Sequence, residues 1–536
     1  MARSAPRLRL DPRLCGLAFA SGAVLATASP DTSFYPGLWL GLAGLAFAGE
    51  RLLQSSTVRP LRHGLVLGIA FGVAANLGAL RFVPGVVTRF TTLGWAAGDV
   101  GLALLALLQS LRWGAASFVH VGLRRLGVPG PWAFAIGVLA GTFVPAVFPW
   151  NPAGGVTPVP ELIQLASWIG ERGLTWLMAL SAGFLGSAFT TREPGERREG
   201  KREGRPSLLP LAVAVALPAL TYVQGHLAMA AVEATRATAP TARVALIQPS
   251  IAPTERWNPG RSPGVLAALT NATREAEQLG SELTIWPEAA YPYVVGHATR
   301  RCPIGPLAML PFGVRGPVLT GLVTTNGEGN VSNSAVVCQR NGTLSPPQDK
   351  IHLLMFGETI PWLDQIEWVR SKFTRGIGLV AGHEVVLQNV GPLRAAVLNC
   401  FEDTLPGAGR ESMAARPNLL VNVTNDGWFA GSVESELHLR LAVLRAVESR
   451  RDLVRAVNLG MTSWVDAAGL VRERRDGSAP AVLMAEPALL ETPPTPFDRF
   501  GDAPLLIFLA LTAITLASRA SRASRRVTPE PTAADP

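Results

Sequence analysis

Charge is scarce in this chain: only 16% of its 536 residues are Asp, Glu, Lys or Arg. A soluble domain carries about 25%, so the deficit points towards lipid. Lysine is nearly missing, with Lys201, Lys350 and Lys372 alone, and almost all the basic residues are Arg. The excess of +9 is scattered between apolar runs. No basic face for nucleic acid is implied, and none is expected as a partner. Four cysteines, Cys15, Cys302, Cys338 and Cys400, are too few for a disulfide framework and show no CxxC spacing. No GxGxxG follows a strand, and no GxxxxGK[ST] or HExxH occurs, which disfavours nucleotide and zinc chemistry. Disorder is excluded as well, because 48% of the residues are hydrophobic.

What the chain does have is apolar runs. Seven precede residue 225, at 14–28, 34–49, 64–80, 98–119, 132–149, 174–190 and 208–223, and an eighth lies at 503–518. Several fall short of the roughly 20 residues that span hydrocarbon. The first could be a signal peptide, but six more spans follow before residue 225 and a retained helix is expected. Arg3, Arg7, Arg9 and Arg13 precede span one, and Arg51, Arg59 and Arg62 follow span two. Arg124 and Arg125 follow span four, and a run from Arg192 to Arg205 follows span six. Arg519, Arg522, Arg525 and Arg526 follow span eight, whereas the opposite connections carry few, Arg81 and Arg89 among them. The heavy clusters share one side, which the positive-inside rule makes cytoplasmic. Both termini are then cytoplasmic, and residues 226–502 lie outside the inner membrane, in a bacterial periplasm. Asp99 and Arg112 within span four are costly in lipid and are expected to face the bundle interior.

From Ala242 the pattern changes to short strands alternating with helices. Strands are expected at 243–248, 283–286, 318–323, 334–340, 395–399, 419–423 and 453–457, with helices at 263–279 and 434–450. Hairpin turns are expected at Asn341-Gly342 and at Asp466–Gly469. About 260 such residues make one α/β domain with helices flanking packed sheets. The domain reading is a bundle over 1–225, a catalytic domain over 226–502, a returning helix at 503–518 and a disordered tail over 519–536.

Three reactive side chains stand at or just beyond expected strands. Glu288 follows Trp286-Pro287, Lys350 follows Gln348-Asp349, and Cys400 follows Leu398-Asn399. A thiol attacks only as thiolate, so it needs a base and a nearby cation. Glu288 can take the proton, and Lys350 can stabilise both thiolate and oxyanion. Each alone has an ordinary structural explanation: a core thiol, a helix-capping Glu, a solvated Lys.

The ordered set resembles a known family. The motifs are Trp286-Pro287-Glu288, Lys350 with Phe356-Gly357-Glu358, Asn399-Cys400-Phe401-Glu402 and Asn425-Asp426-Gly427-Trp428-Phe429. Arg445-Ala446-Val447-Glu448, Arg455-Ala456-Val457-Asn458 and, in the bundle, Phe148-Pro149-Trp150 extend the set. With these residues the chain is similar to the bacterial apolipoprotein N-acyltransferases, membrane-anchored members of the nitrilase superfamily. The resemblance implies an eight-span bundle carrying an αββα sandwich. It implies Glu288 as general base, Lys350 as oxyanion residue and Cys400 as nucleophile. Glu358 and Glu402 would support them, Trp257 would handle substrate, and Asn425 and Trp428 would wall the pocket. It further implies a phospholipid acyl donor, a diacylglyceryl apolipoprotein acceptor, no cofactor and no metal, with the enzyme a monomer in membrane lipid. Phe401 stands where the family often has Tyr, and Met355 where it commonly has Pro. The acidic and basic residues expected upstream of Phe148 are missing. No segment remains for a fused sugar transferase.

Apolar loops at 304–312 and 352–368 fit a lipid substrate, either as a lid dipping into the outer leaflet or as loops packed on the domain. Cys302 and Cys338 could bridge in an oxidising periplasm, but free thiols are the expectation, as for Cys400. Two rival readings share the motifs or the topology: a tethered nitrilase-like amidase using the same triad, and an inactive scaffold. The first would have little use for the apolar loops, and the second none for an intact triad.

Overall fold

The computed structural model describes residues 10–55, 57–90, 94–190, 207–252, 255, 258–327, 329–355, 357–359 and 378–525. Trp257, most of the 352–368 loop and the 192–205 basic run lie outside the described residues. The first part is helical: α1 (Pro12–Ala26), α2 (Pro36–Gln54), α3 (Pro60–Ala79), α4 (Val83–Phe90), α5 (Trp95–Arg125), α6 (Gly130–Thr142), α7 (Ala166–Ala188) and α8 (Leu208–Arg236). Proline sits at the first turn of α1, α2 and α3, where the missing N–H costs nothing. Three helices, α3, α5 and α8, are long and apolar enough to cross a membrane, while α1, α6 and Ala503–Ser518 are shorter apolar helices. Small residues let the helices touch. A Cβ on Gly68 would lie 2.1 Å from the Trp113 carbonyl oxygen, which locks α3 against α5.

Arg112 turns inward, donating to the Trp150 carbonyl at 3.0 Å and to Asn151 Oδ1 at 2.6 Å. Asp99 does not; it is exposed near the start of α5, against the expectation that both face the interior. The physical reason is position: Asp99 sits in the second turn of a 31-residue helix, longer than a bilayer requires.

Beyond α8 the chain builds two sheets from β1 (Val244–Gln248), β2 (Leu283–Trp286), β3 (Val295–Gly296), β4 (Val318–Thr325), β5 (Val331–Cys338), β6 (Gln348–Asp349), β7 (Gln388–Val390), β8 (Leu393–Asn399), β9 (Leu419–Asn425), β10 (Leu453–Asn458), β11 (Thr462–Val465), β12 (Val471–Arg475) and β13 (Ala481–Ala485). One sheet runs β13-β1-β2-β4-β5-β6 with β3 beside β4, and the other runs β12-β11-β10-β9-β8-β7. The helices are α9 (Ser262–Gln278), α10 (Pro406–Ala414), α11 (Glu434–Ser449), α12 (Pro496–Phe500) and α13 (Ala503–Arg525).

Period-two burial explains the layers. Val244, Leu246, Ala395, Val397, Leu419, Val421, Val423, Val454 and Ala456 share one core between the sheets. Their alternates split to the outer faces: Ala245 and Ile247 meet α9 residues Val265, Leu266 and Leu269, while Ala396, Leu420 and Leu453 meet α11 residues Leu439, Ala442 and Val443. The second outer core continues into the bundle through Leu38, Ala153, Val156, Leu174 and Met178. Thus α11 is shared between the sheet and the bundle.

Three expectations are corrected here. Cys302 and Cys338 are bridged, with Cα atoms 5.8 Å apart. Both reach the 339–344 turn, Cys338 through its pairing with Leu344 and Cys302 through a bond from its N–H to the Gly342 carbonyl. The C-terminal helix does not stop at Ser518 but runs to Arg525, and α8 runs past residue 225 to Arg236. In the 304–312 loop, Ile304 and Phe312 are exposed but Ala308 and Met309 are buried. That loop is therefore half packed.

Candidate active site

Glu288, Lys350 and Cys400 each lie just beyond a strand, and the two sheets bring them together. β2 delivers Glu288 through a tight turn over β4. Gly321 permits it: a Cβ there would lie 2.6 Å from Glu288 Cα and 2.7 Å from the Pro287 carbonyl oxygen. β6 delivers Lys350, whose N–H donates to the Asn333 carbonyl at 2.8 Å. β8 delivers Cys400 at φ +52°, a left-handed conformation that costs a non-glycine residue about 1–3 kcal/mol and must be held by its surroundings. Two neighbours hold it. Asn422 Nδ2 donates to the Cys400 carbonyl at 2.9 Å, and Glu402 Oε2 accepts from the Asn399 N–H at 2.7 Å.

Lys350 Nζ lies 2.8 Å from the Glu358 carboxylate and 3.5 Å from Glu288 Oε1. Asn333 Nδ2 bridges the same two carboxylates, donating to Glu288 at 2.7 Å and to Glu358 at 3.3 Å. Glu288 Oε2 accepts from the Asn425 N–H at 3.1 Å. Glu402 Oε1 accepts from the N–H groups of Ile351 and His352 at 2.7 and 2.9 Å, so one carboxylate ties the nucleophile turn to the segment bearing Lys350. Asn425 is buried, and its Oδ1 accepts from Asn458 Nδ2 at 3.0 Å. Trp428 is half-buried, and its carbonyl accepts from Arg89 Nη1 of α4 at 3.1 Å.

The electrostatics follow from burial. Burial pushes the Glu288 carboxyl up, opposed by Lys350 and reinforced by Glu358. Burial also drives the Cys400 thiol well above its ordinary value, with Glu288 adding to the effect and Lys350 opposing it. Burial pulls Lys350 down, yet Glu358 and Glu288 more than offset it and the ammonium is strongly favoured. The resting site therefore holds a neutral thiol beside a lysine ammonium.

Sequence reasoning missed Asn333, Asn422 and a buried group behind Cys400. There His438 Nε2 lies 2.7 Å from Asp403 and Nδ1 3.1 Å from Asp426, and Arg455 Nη1 is 3.2 Å from Asp403. Burial alone would lower the His438 pKa, but Asp403 and Asp426 override it and hold it at about 10, against an ordinary 6.5. A folded-state pKa above the unfolded value contributes stability that is complete below about pH 6.5 and is lost as pH rises through about 10. Glu434, held at about 8 mainly by burial, acts in the same direction. The melting temperature is thus expected to fall between pH 6.5 and 10, and His438→Gln to flatten that slope. A rising or level curve for the parent protein would contradict this.

The Carbon-nitrogen hydrolase family model matches residues 243–486, and the Apolipoprotein N-acyltransferase N-terminal domain model matches residues 21–184. The apolipoprotein N-acyltransferase of Geobacter metallireducens is 30% identical over 502 residues, covering 91% of each chain. The chain belongs to the apolipoprotein N-acyltransferase family. The relative in Caulobacter vibrioides is 28% identical and covers 93% of each chain. Among solved structures, an amidase from Nesterenkonia sp. AN1 aligns with 49% of this chain and 98% of its own, at 16% identity and a TM-score of 0.35. Membership in this family makes the protein a membrane-associated N-acyltransferase of lipoprotein maturation.

Proposed function

We propose that the protein transfers a fatty acyl group from a phospholipid to the α-amino group of a diacylglyceryl-cysteine in two steps, through a thioester on Cys400. The observation that carries the reading is the convergence of three strand ends on one buried site, where the Lys350 ammonium lies 3.5 Å from the Glu288 carboxylate and both groups act on the Cys400 thiol. Glu288 takes the Cys400 proton as sulfur attacks the donor ester carbonyl. Lys350 and nearby backbone N–H groups stabilise the oxyanion. The intermediate collapses, Glu288 returns the proton to the leaving oxygen, and lysophospholipid departs. The acceptor amine then attacks the thioester, Glu288 takes the amine proton, and Cys400 is regenerated as the amide forms. Glu358 holds Lys350, Glu402 holds the nucleophile turn, and Asn425 and Trp428 wall the pocket, with Trp257 serving the substrate. None of these steps calls on a cofactor or metal.

In the same reading the enzyme is a monomer with eight crossings of the bacterial inner membrane. Its termini are cytoplasmic and its catalytic domain periplasmic. The bundle gives way to the catalytic domain along α8, and the chain returns through α13. The Arg clusters at 51–62, 124–125 and 519–526 support that orientation.

The test is intact-mass spectrometry of detergent-purified protein after incubation with phospholipid alone, beside Cys400→Ala and Cys400→Ser. The parent is expected to gain one fatty-acyl mass that hydroxylamine removes, and both variants none. Folded parent protein with a reduced Cys400 and no adduct from any phospholipid would sink the reading. The tethered amidase would form an adduct too, and separates when an apolipoprotein peptide is added: the amidase releases free fatty acid and leaves the peptide unmodified.

A further inference from the structure

Arg81 and Arg89 break the charge asymmetry of the spans, and the structure accounts for them differently. Arg81 is neutralised within the bundle: its Nη2 lies 2.6 Å from Asp31, and its Nη1 donates to the Gly78 carbonyl at 2.6 Å. Arg89 is exposed at the end of α4 and, among the described residues, pairs with no carboxylate. It reaches into the catalytic domain instead. Its Nη1 donates to the Trp428 carbonyl and its Nη2 to the Ala430 carbonyl, each at 3.1 Å. These carbonyls close the short 3₁₀ turn Asp426–Phe429, where a helix end leaves its last acceptors without internal donors. A planar guanidinium fork matches two neighbouring carbonyls, whereas an ammonium makes a point contact.

The two ends of segment 425–430 are held by different parts of the molecule. At the first, the Asn425 N–H donates to Glu288, and Asn425 Oδ1 accepts from the Gly427 N–H at 3.1 Å and from Asn458 Nδ2 of β10 at 3.0 Å. The sheets fix that end. At the second, the hold comes from the bundle, through Arg89 and through the Phe82 ring, which stands edge-on to Phe429 with centroids 5.4 Å apart. α4 is itself seated on α5, since a Cβ on Gly98 would fall 2.8 Å from Pro84 Cα. We propose that Arg89 is a positioning residue for the lipid: by clamping the Trp428 and Ala430 carbonyls it sets the pocket wall against the bundle and so lines the path of a long chain to Cys400. The inference rests on Cys400 being the nucleophile and on Trp428 walling its pocket. Asn425 stays anchored by Asn458 when Arg89 is lost, so the base keeps its hydrogen bond while the wall shifts. A displacement of about 1 Å in a positioning group is enough to cost about a hundredfold in rate.

The experiment uses full-length protein in detergent with Cys15→Ser, so that among the four cysteines only Cys400 is free. N-ethylmaleimide and N-dodecylmaleimide are supplied separately, and intact mass follows the labelling of Cys400. The short probe reads the thiol, and the dodecyl-to-ethyl rate ratio reads admission of a long chain without any acyl chemistry. Arg89→Ala is expected to lower that ratio about tenfold while N-ethylmaleimide labelling stays within about twofold of the parent. Arg89→Lys should fall between, because one ammonium replaces two aligned donors. With phospholipid, Arg89→Ala should raise the concentration for half-maximal adduct formation about tenfold and leave the maximal rate within about twofold. A merely structural arginine would lower the melting temperature and slow both probes alike. An unchanged or raised ratio for Arg89→Ala, or a loss shared equally by both probes, would overturn the proposal. So would an Arg89→Lys ratio equal to the parent's, since charge alone would then suffice. If Arg89→Ala does not fold, Arg89→Lys decides alone, and a ratio at least about threefold below the parent's is expected. Should the parent form no phospholipid adduct while the maleimide ratio shifts, the clamp would stand and the transferase reading would fall.

Discussion

Lys350→Met is expected to lower thioester formation by about a thousandfold or more, because two separate losses coincide. The first is the cation that faces the oxyanion; removal of one such donor alone costs about 10²–10³ in rate. The second is the base. Lys350 sits between two carboxylates, 2.8 Å from Glu358 and 3.5 Å from Glu288, with only 1% of its side chain exposed. Without it two buried anions face each other across Asn333, and one must take up a proton. Glu288 is already pushed up by burial and by Glu358, so it is the group that neutralises. A protonated Glu288 cannot take the thiol proton. Lys350→Arg should not rescue, since a planar fork replaces a compact ammonium in a site shaped for the latter. Rates of adduct formation by intact mass check both variants. A Lys350→Met rate within tenfold of the parent would remove Lys350 from the chemistry.

The second large effect is on folding and concerns Asp452. Its carboxylate is fully buried and accepts from Arg236 Nε at 3.0 Å, Arg236 Nη2 at 2.8 Å, Trp464 Nε1 at 3.1 Å, and the N–H groups of Ala467 and Ala488 at 3.0 Å each. Those donors come from the end of α8, from β11, from the turn after it and from the segment after β13. One side chain therefore fastens the last helix before the catalytic domain to the sheet. Asp452→Ala takes the two-pronged partner from Arg236, leaving it Glu233 at 3.1 Å and Asp466 at 3.7 Å, and strands Trp464 Nε1 and two backbone donors, a loss of about 3 kcal/mol for a broken buried pair. Such a sum is a large fraction of an ordinary domain's stability. Asp452→Asn keeps the shape but reverses half the hydrogen bonds and is expected to recover little. Thermal unfolding in detergent measures both, and a melting temperature within about 2 °C of the parent for Asp452→Ala would show that Glu233 and Asp466 suffice to hold Arg236.

Much of this molecule was legible beforehand, and the reasons are local. Strands such as Leu283–Trp286 and Leu393–Asn399 announce themselves as short apolar runs, and a reactive residue with no place in the core pattern follows just beyond each. That is why Glu288 and Cys400 stood out. β12 did not, because Val471–Arg475 is exposed at every position and four of its five residues are charged, so no apolar signal marks it. Asn333 was hidden inside Ser332-Asn333-Ser334, a polar triplet in a strand that is otherwise core, where only the fold reveals the two carboxylates it serves. His438 was hidden differently: α11 alternates charged and apolar residues like a helix with one wet face, but it is buried along nearly its whole length. The disulfide joins cysteines 36 residues apart, and nothing local brings them together. Asp99 was misplaced because apolar composition marks a span without saying where the bilayer begins along a long helix.

The shared position of α11 has a practical consequence for anyone cutting the molecule down. An excised 243–486 segment would retain both sheets and the thiol, yet Leu439, Val443 and Val447 would lose the neighbours that Val156, Ile163, Leu174 and Met178 provide. Arg445 would lose Glu171 of α7, 3.2 Å away, and face water with a guanidinium built for a dry junction. The fragment would expose an apolar, half-finished flank. Soluble versions of this enzyme would have to be engineered by repainting that flank of α11, not by choosing a better place to truncate.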